Sequence, residues 1–256
     1  MIHPSALIDD SAELAEDVSV GAFSIIGPDV EIGPGTWIGP HVVIEGPTRI
    51  GAHNKIYQFN SIGGPPQDKK YAGERSRLEI GDRNVIREYC TFNRGTEQGG
   101  GVTRVGSDNW IMAYVHIAHD CVLGSHCILA NGATLAGHVE VGDRVIFGAF
   151  TVIHQFCAVG DYAFSAMGTV VFKDVPPFVT VSGNSATPHG INTEGLRRNG
   201  FSSGRIQQIR RAYKTLYRQG LTVEKALLEL RSQFVDDPDV RAFAAFVDSS
   251  TRGLVR

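Results

Sequence analysis

The stretch from Leu14 to Ile44, LAEDVSVGAFSIIGPDVEIGPGTWIGPHVVI, places an aliphatic residue at every sixth position. The same spacing extends from Ile2 to Ile62, returns between Ile80 and Phe92, and then runs from Val105 to Val171. Within these runs, only Ser165 occupies the repeating position without being hydrophobic. A fixed short period sustained over most of a chain is the signature of a repeat architecture.

A period of six fits neither an α-helix, at 3.6 residues per turn, nor a plain strand, at two. It fits short strands joined by corners, with three sides closing a coil of about 18 residues. The residue two positions before the aliphatic one is usually small or β-branched, as at Val18, Ser24 and Cys121, and we expect both to point inward. A glycine often follows, as at Gly21 and Gly33, and we expect it to supply the positive φ angle that a corner needs. The repeat predicts an all-β solenoid, a parallel β-helix of roughly eight to nine coils.

Two interruptions and a late change of pattern divide the chain. We predict a β-helix over residues 1–190, with loop excursions at 63–79 and 95–104, and a C-terminal α-helical domain over residues 191–256. The first loop is polar and basic, and we regard it as a candidate binding loop because loops on a rigid scaffold commonly carry function. The second is glycine-rich but lacks the spacing of a phosphate-binding motif, so we expect a mobile loop.

Capping signals locate three helices near the C-terminus. Ser202 or Ser203 can cap the first, Thr222 the second, and Asp237-Pro238 places a cap before a proline at the first helical position of the third. The segment 179–200 shows no period and is expected to be irregular.

Composition excludes several classes of protein. The net charge is −3 and there is no dense basic tract, which argues against nucleic acid. No apolar run reaches the length of a membrane span and Met1 is not followed by a secretory leader, so we expect a cytoplasmic protein without an integral membrane segment.

The four cysteines occupy the small inward position and are expected to be core thiols. Residues 197–218 contain seven Lys or Arg and no acid, which suggests an acidic partner.

The densest group of ionisable residues in the repeat is the segment from His116 to Asp120, with His119 between them. Ile117 fills the inward position, so the two histidines flank it at corner or outward positions. Gly137 follows His119 by 18 residues, hence by one coil, and its unshielded N–H could donate to an oxyanion. Further histidines, His138 and His154, could line the same edge of neighbouring coils.

Several longer motifs carry a more specific signal than the repeat. They are NSIG (60–63), QDKKYAGE (67–74), EIGDRNVIRE (79–88), RGTEQGGG (94–101), VGSDN (105–109), HIAHDC (116–121), CILAN (127–131), LAGHVEV (135–141), HQFC (154–157), KDVPPFV (173–179), INTEGLRR (191–198) and STRGLVR (250–256). Together they resemble the UDP-N-acetylglucosamine acyltransferase family of lipid A biosynthesis, over nearly the whole chain. The resemblance implies a left-handed β-helix and a cytoplasmic homotrimer with active sites in clefts between subunits. It implies transfer of an R-3-hydroxyacyl chain from acyl carrier protein to the 3-hydroxyl of the nucleotide sugar, without metal or other cofactor.

The resemblance also assigns roles to residues. It implies that His119 is the general base, a task suited to imidazole because its free pKa lies near neutrality. Asp120 would orient it, and the Gly137 amide would hold the oxyanion. Direct transfer is expected because no Ser or Cys nucleophile belongs to the matched site. The positions implied in substrate binding are Gln67, Asp68, Lys70, His116, His138, His154, Gln155, Asn192, Glu194 and Arg198.

Three positions depart from the family's usual pattern. Asn93 stands where many relatives have histidine, which bears on the choice between a 3-hydroxyl and a 3-amino acceptor. Asn199 replaces a second arginine and would weaken a phosphate contact. Met167 falls where relatives with a long acyl pocket carry glycine. Since a side chain there fills part of a packed apolar groove, we expect an acyl chain of about ten to twelve carbons.

Other functions compete with this one. The nearest is the same transfer to a 3-amino sugar nucleotide, or another hexapeptide N-acyltransferase or acetyltransferase. A zinc carbonic anhydrase on this fold would need three histidines converging from adjacent subunits, with one pair spaced more widely than His116 and His119. An inert scaffold would show a regular array of one residue type on a flat face, and none is present.

Overall fold

The computed structural model describes residues 1–256 as a stack of short parallel strands followed by helices. The strands are β1 (Leu7–Ile8), β2 (Glu13–Leu14), β3 (Ser19–Val20), β4 (Ile25–Ile26), β5 (Val30–Ile32), β6 (Trp37–Ile38), β7 (Val43–Ile44), β8 (Thr48–Ile50), β9 (Lys55–Ile56), β10 (Ser61–Gly64), β11 (Arg77–Ile80), β12 (Val85–Ile86), β13 (Thr91–Asn93), β14 (Val102–Val105), β15 (Trp110–Ile111), β16 (His116–Ile117), β17 (Val122–Leu123), β18 (Ile128–Leu129), β19 (Thr134–Leu135), β20 (Glu140–Val141), β21 (Ile146–Phe147), β22 (Val152–Ile153), β23 (Ala158–Val159), β24 (Phe164–Ser165), β25 (Val170–Val171), β26 (Val179–Ser182) and β27 (Thr187–Ile191). The helices are α1 (Thr193–Arg198), α2 (Ser203–Arg218), α3 (Val223–Gln233) and α4 (Pro238–Ser249).

The strands form three sheets that make the three sides of a prism. The first sheet runs β1-β4-β7-β10-β13-β16-β19-β22-β25, the second β2-β5-β8-β11-β14-β17-β20-β23, and the third from β3 through β6, β9, β12, β15, β18, β21 and β24 to β26 and β27. Except between β26 and β27, pairing is parallel and joins residues one coil apart, as between Leu7 and Ile25. The predicted parallel β-helix is therefore confirmed.

The inward positions of the repeat form the core. Aliphatic residues such as Ile26 and Ile38 are almost fully buried, and so are the small residues that precede them, such as Val18. Ser165, the exception in the repeat, is also buried, but its hydroxyl lies 2.8 Å from the hydroxyl of Thr151 and so keeps a hydrogen bond. Burying that oxygen without a partner would cost free energy.

The glycines that follow the aliphatic residues do not supply positive φ angles, so that expectation is wrong. The left-handed conformation falls three residues after the aliphatic one, usually on a non-glycine such as Phe23, Asp120 or His138. The glycines are needed because the coils stack closely. A Cβ on Gly21 would lie 2.6 Å from the carbonyl carbon of Gly39 in the next coil.

We number the corners by the sheets that they join. Corner 1 joins the first sheet to the second, as at residues 118–121. Corner 2 joins the second to the third, as at 124–127, and corner 3 joins the third to the first, as at 112–115.

The two loops both start from strands of the first sheet and return to the second, so they lie at corner 1. They span residues 65–76 and 94–101, and the second contains a short 3₁₀ turn at Glu97–Gly99.

The outer surfaces of the prism differ in polarity. The second sheet carries charged residues along its outer face, among them Glu13, Glu31, Arg49, Arg104 and Glu140. Corner 3 instead carries a stack of exposed rings whose centroids lie 4.9 to 5.4 Å apart, formed by Phe23, His41, Phe59, Tyr89 and Tyr114. Apolar residues on the two adjoining sheets are also exposed, namely Leu7, Ile25 and Val152 on the first and Trp37, Trp110 and Ile128 on the third.

The C-terminal region contains the three predicted helices with their predicted caps. Ser202 caps α2, Thr222 caps α3, and Asp237 caps α4 through two backbone N–H groups. The expectation of an irregular segment at 179–200 is wrong, because β26 and β27 form an antiparallel hairpin on the third sheet and α1 follows. None of the helices is long and apolar enough to cross a membrane.

Close stacking of the coils makes a stability prediction. We expect Gly124→Ala to lower the free energy of unfolding by about 1–3 kcal/mol, the usual cost of overpacking, because the new Cβ would lie 2.6 Å from the carbonyl carbon of Gly142. The matched control is Gly204→Ala in α2, where the nearest atom would be 3.9 Å away and helix propensity favours alanine by about 1 kcal/mol. Urea denaturation of both variants measures the difference, and equal stabilities would contradict the stacking account.

Candidate active site

His119 and Asp120 form a hydrogen-bonded pair at corner 1, immediately after β16. Asp120 takes a positive φ of 61°, which turns the chain. The Nδ1 atom of His119 lies 2.8 Å from Oδ2 of Asp120. Since an ionised carboxylate can only accept, Nδ1 carries the proton and Nε2 presents a lone pair.

The carboxylate of Asp120 is buried and held from the other side by Thr96. The Thr96 N–H donates to Oδ1 at 2.7 Å and the Thr96 hydroxyl to Oδ2 at 2.7 Å. Burial raises the pKa of Asp120, but the hydrogen bonds from His119 and then Thr96 outweigh burial and hold its pKa below the usual value. Asp120 is therefore a fixed anion behind the imidazole.

Gly137 lies one coil above and leaves room for the imidazole. A Cβ at this position would lie 2.6 Å from Cε1 and 2.8 Å from Nε2 of His119. Its N–H makes no hydrogen bond within the chain, whereas the neighbouring His138 N–H donates to the carbonyl of His119. Gly137 therefore offers a free N–H in the coil next to the His119 ring.

Two further histidines border the pair. His116 places Nδ1 2.7 Å from the hydroxyl of Thr91, and burial, followed by the charge of His119, lowers its pKa. His138 stacks on Phe156 and places Nε2 3.6 Å from Oδ2 of Asp120. Burial lowers the pKa of His138 against the opposing effect of Asp120. Both rings therefore favour the neutral form.

The first loop brings one of its predicted residues close to this group. Asp68 is half-buried and its charge acts on His138. It also accepts a hydrogen bond from the backbone N–H of Lys70 at 3.0 Å. The side chains of Gln67 and Lys70 are exposed on the same loop.

His154 and Gln155 lie one coil above Gly137 at the same corner. The Nδ1 atom of His154 lies 3.1 Å from the carbonyl oxygen of Gln155 and 3.4 Å from a guanidinium nitrogen of Arg252. The C-terminal tail reaches this corner because Asp174 holds it: the Asp174 carboxylate accepts a hydrogen bond from the Ser250 hydroxyl at 2.6 Å.

Four predicted residues lie elsewhere in the chain. Asn192 caps α1 and donates to the carbonyl of Tyr162 at corner 2, and Glu194 and Arg198 follow it on that helix. Met167 lies at corner 3 and is 75% exposed. The fold of one chain therefore does not bring these residues to His119.

Asn93 and Asn199, which the resemblance sets apart from the family pattern, have different surroundings. Asn93 is buried: its amide donates to the carbonyl of Pro65 at 3.0 Å, and its Oδ1 has no partner. Asn199 is exposed at the end of α1, where it accepts a hydrogen bond from Arg144 at 2.7 Å and donates to the carbonyl of Gly195.

The basic segment of the helical region is only partly neutralised. Arg205 pairs with Asp239 at 2.9 Å, while Arg197 and Arg198 both pair with Glu194. The exposed residues without an ion pair are Arg210, Arg211, Lys214 and Arg218 of α2.

The cysteines are buried and offer no nucleophile. Burial raises the pKa of Cys90, Cys121 and Cys127 to about 12 and that of Cys157 to about 11. Because the thiolate is the reactive form, these groups stay inert near neutral pH.

Sequence reasoning missed the residues that support the site. The glycine-rich loop was expected to be mobile, yet its Thr96 donates two hydrogen bonds to the Asp120 carboxylate. Thr103, on β14, accepts the backbone N–H of Asp120 at 2.8 Å. The motif RGTEQGGG contributes to the resemblance but gives no sign of what its threonine contacts.

Comparison with protein families supports the same architecture. Residues 29–64 and 103–137 match the bacterial transferase hexapeptide model, and residues 174–255 match the second domain of UDP-N-acetylglucosamine O-acyltransferase. These matches and the solved structures below identify the β-helix as left-handed with a C-terminal helical region.

Full-length relatives give the most specific comparison. The chain is 59% identical to an acyl-[acyl-carrier-protein]–UDP-N-acetylglucosamine O-acyltransferase from Thiobacillus denitrificans, with 100% of this chain and 99% of the relative aligned. The UDP-N-acetylglucosamine O-acyltransferase of Moraxella catarrhalis superposes with a TM-score of 0.98 at 46% identity, covering 100% of this chain and 99% of that one. The acyltransferase of Francisella novicida gives a TM-score of 0.98 at 43% identity, covering 100% and 94%.

Proposed function

The chain belongs to the acyl-[acyl-carrier-protein]–UDP-N-acetylglucosamine O-acyltransferase family, and on this premise we propose how its residues carry out the transfer. The enzyme moves an acyl chain from acyl carrier protein to UDP-N-acetylglucosamine, the first step of lipid A biosynthesis. We assign the general base to His119. The observation that carries this assignment is the 2.8 Å contact between its Nδ1 and the Asp120 carboxylate, which leaves Nε2 free to accept a proton.

In the proposed mechanism, Nε2 of His119 removes the proton from the 3-hydroxyl of the sugar as that oxygen attacks the thioester carbonyl of an R-3-hydroxyacyl donor. A carbon–oxygen bond forms, and the negative charge of the tetrahedral intermediate moves to the former carbonyl oxygen. The free N–H of Gly137 donates to this oxyanion. When the carbon–sulfur bond breaks, the imidazolium returns the proton to the departing thiol.

Asp120 supports both halves of this cycle. As a buried anion it fixes the tautomer of His119 and stabilises the imidazolium that forms after proton transfer. Its carboxylate is already oriented in the free chain by the donors of Thr96, so little reorganisation accompanies the reaction.

We propose that the nucleotide sugar binds along corner 1, beside the first loop. Asp68 lies close enough to His138 for its charge to act on that ring, which supports a shared pocket. The residues assigned to this pocket are Gln67, Asp68, Lys70, His116, His138, His154 and Gln155.

We propose a homotrimer in which a second chain completes the site. Exposed apolar residues cluster at corner 3 and on its two adjoining sheets, whereas the outer face of the second sheet is charged. Three prisms with corner 3 toward a common axis would pack the first sheet of one chain against the third sheet of the next. Corner 1 of one chain would then face corner 2 of its neighbour. This arrangement supplies Asn192, Glu194 and Arg198 from the neighbouring chain.

The unpaired basic residues of α2 are proposed as the docking surface for acyl carrier protein. Four exposed cations without an ion pair on one helix create a positive field that would steer an acidic partner. They are Arg210, Arg211, Lys214 and Arg218.

Two further assignments complete the proposal. We divide the chain into a β-helical domain at 1–190 and a helical domain at 191–256, supported by the start of α1 at Thr193. We also assign a cytoplasmic location, in keeping with an acyl carrier protein donor; fractionation of cells that express the tagged protein tests it.

The transfer itself is tested by product mass spectrometry. UDP-N-acetylglucosamine and its 3-amino analogue are each offered with 3-hydroxyacyl carrier proteins of graded length, with and without a metal chelator. We expect an O-acylated product that persists in chelator, and a loss of rate of about 10²–10⁴-fold in His119→Ala, the usual contribution of a general base. The matched control is His3→Ala, an exposed histidine at the N-terminal end of the prism. Full activity of His119→Ala would refute the role of His119 as general base. A product formed only from the amino analogue would show that the acceptor atom is nitrogen. Loss of activity in chelator would point to a metal.

The same assay tests the acyl length assigned to Met167. We expect the wild-type chain to prefer donors of about ten to twelve carbons and Met167→Gly to prefer longer ones, because removal of the side chain frees volume in an apolar groove. Met167→Leu keeps the volume and should keep the preference. An identical length profile for Met167 and Met167→Gly would exclude this residue as the determinant.

Docking is tested by charge reversal. Arg210→Glu with Arg211→Glu should raise the KM for acyl carrier protein by about tenfold or more and weaken its salt dependence, while the KM for the nucleotide sugar stays constant. Arg241→Glu on α4 is the control for a general charge effect. If the two variants responded equally, the basic residues of α2 would be ordinary solvated surface residues with no specific role in docking.

A further inference from the structure

The glycine-rich loop at 94–101 is the outer wall of the Asp120 pocket. Thr96 reaches the carboxylate with two donors, its N–H on Oδ1 and its hydroxyl on Oδ2, each at 2.7 Å. Thr96 is itself only 3% exposed. Two bonds to two different oxygens fix the plane of a carboxylate, which one bond would leave free to rotate.

Gly99 closes the same wall. It lies in the 3₁₀ turn that Thr96 caps, and a Cβ added to it would overlap the carboxylate of Asp120. The loop backbone therefore packs directly on the carboxylate, whose side chain is 1% exposed. Water cannot replace the Thr96 donors without moving the loop.

Two imidazoles compete for one oxygen of this carboxylate. Oδ2 of Asp120 lies 2.8 Å from Nδ1 of His119 and 3.6 Å from Nε2 of His138. The two rings are nearly perpendicular, at 88°, so a rotation of the carboxylate would change which of them it favours. The two hydrogen bonds from Thr96 hold the carboxylate in the orientation that favours His119.

We propose that Thr96 is a positioning residue of the transfer reaction: it locks the Asp120 carboxylate in the orientation that holds His119 with Nδ1 protonated and Nε2 free. The proposal rests on the assignment of His119 as the base. Thr96 is buried behind the carboxylate and would act only through Asp120. The glycines of the loop serve this contact because a side chain on Gly99 would displace the carboxylate.

Several titratable groups surround His119 and Asp120. They determine how the pH profile of the enzyme would change if the hydrogen bonds from Thr96 were lost. His119 and His138 face Asp120 directly, while His116 and Asp68 act on those two rings. Hydrogen bonds to a carboxylate lower its pKa, so removal of the Thr96 hydroxyl raises the pKa of Asp120. With one donor fewer, the negative charge of the carboxylate stabilises the imidazolium form of the neighbouring rings more strongly, whichever ring it faces. The acid limb of kcat/KM, which reports the protonation of the base in the free enzyme, should move to higher pH.

The test compares Thr96→Val, which keeps the shape and loses the hydroxyl, with Thr96→Ser, which keeps the hydroxyl. Thr96→Val should lower kcat by about tenfold or more, the effect of one hydrogen bond to a charged group, with the KM for the nucleotide sugar unchanged and the acid limb shifted upward. Thr96→Ser should restore most of kcat and the wild-type limb. The matched control is Thr215→Val, a buried threonine of α2 whose hydroxyl bonds a helix carbonyl. A folded Thr96→Val enzyme with wild-type kcat and acid limb overturns the proposal.

A second measurement does not depend on turnover. In ¹⁵N spectra of histidine-labelled protein, wild-type His119 should show a protonated Nδ1 and an unprotonated Nε2, and Thr96→Val should show a mixture of tautomers. Unchanged His119 signals in Thr96→Val would overturn the positioning role even if activity fell. Full activity of His119→Ala would instead refute the base, whatever the signals show. If Thr96→Val does not fold, Gly99→Ala offers the same test, because it displaces the carboxylate and leaves the hydroxyl in place.

Discussion

Close stacking of successive coils is the constraint on which the rest of this structure depends. Each backbone pairs with the coil above it, so residues 18 apart in sequence become neighbours in space, as Leu7 and Ile25 do. In several coils the stacking leaves no room for a side chain after the aliphatic position, which explains Gly21 and Gly124. It also sets His119 beneath Gly137, with the ring against the one residue type that leaves room for it. The scaffold and the site therefore follow from the same spacing.

The site itself depends on a break in that regularity. A perfect repeat would supply only residues of neighbouring coils, whereas Asp120 needs donors from outside the prism. The loop at 94–101 leaves the first sheet at β13, places Thr96 against the carboxylate and re-enters at β14. Hydrogen bonds from this loop and from His119 keep a buried carboxylate ionised, and an ionised carboxylate is what a histidine base requires behind it.

The regular parts of this molecule could be predicted from sequence and the irregular parts could not. A period of six over most of the chain leads to a β-helix, and the serine, threonine and aspartate caps lead to three helices, because both signals are local. The conformation of Gly21 was misassigned, since its need for space arises from a coil 18 residues away. The role of Thr96 was not predicted for a related reason. Its partner Asp120 is 24 residues away, and a glycine-rich segment contains no local signal of a buried contact. The hairpin of β26 and β27 forms because β26 pairs with the third sheet. A short segment without a period gives no sign of such pairing in its sequence.

A single chain holds the proposed base at corner 1 and Asn192, Glu194 and Arg198 at corner 2, so the central claim of the proposal is that two chains share each active site. The most direct measurement is subunit mixing: His119→Ala and Arg198→Ala chains are co-expressed with different tags, and the mixed trimers are purified and assayed. If the two residues come from different chains, about one third of the sites in the purified mixed trimers should be active, since a site is intact only when both neighbours supply the native residue. Mixed trimers no more active than the two parent variants would contradict a shared site.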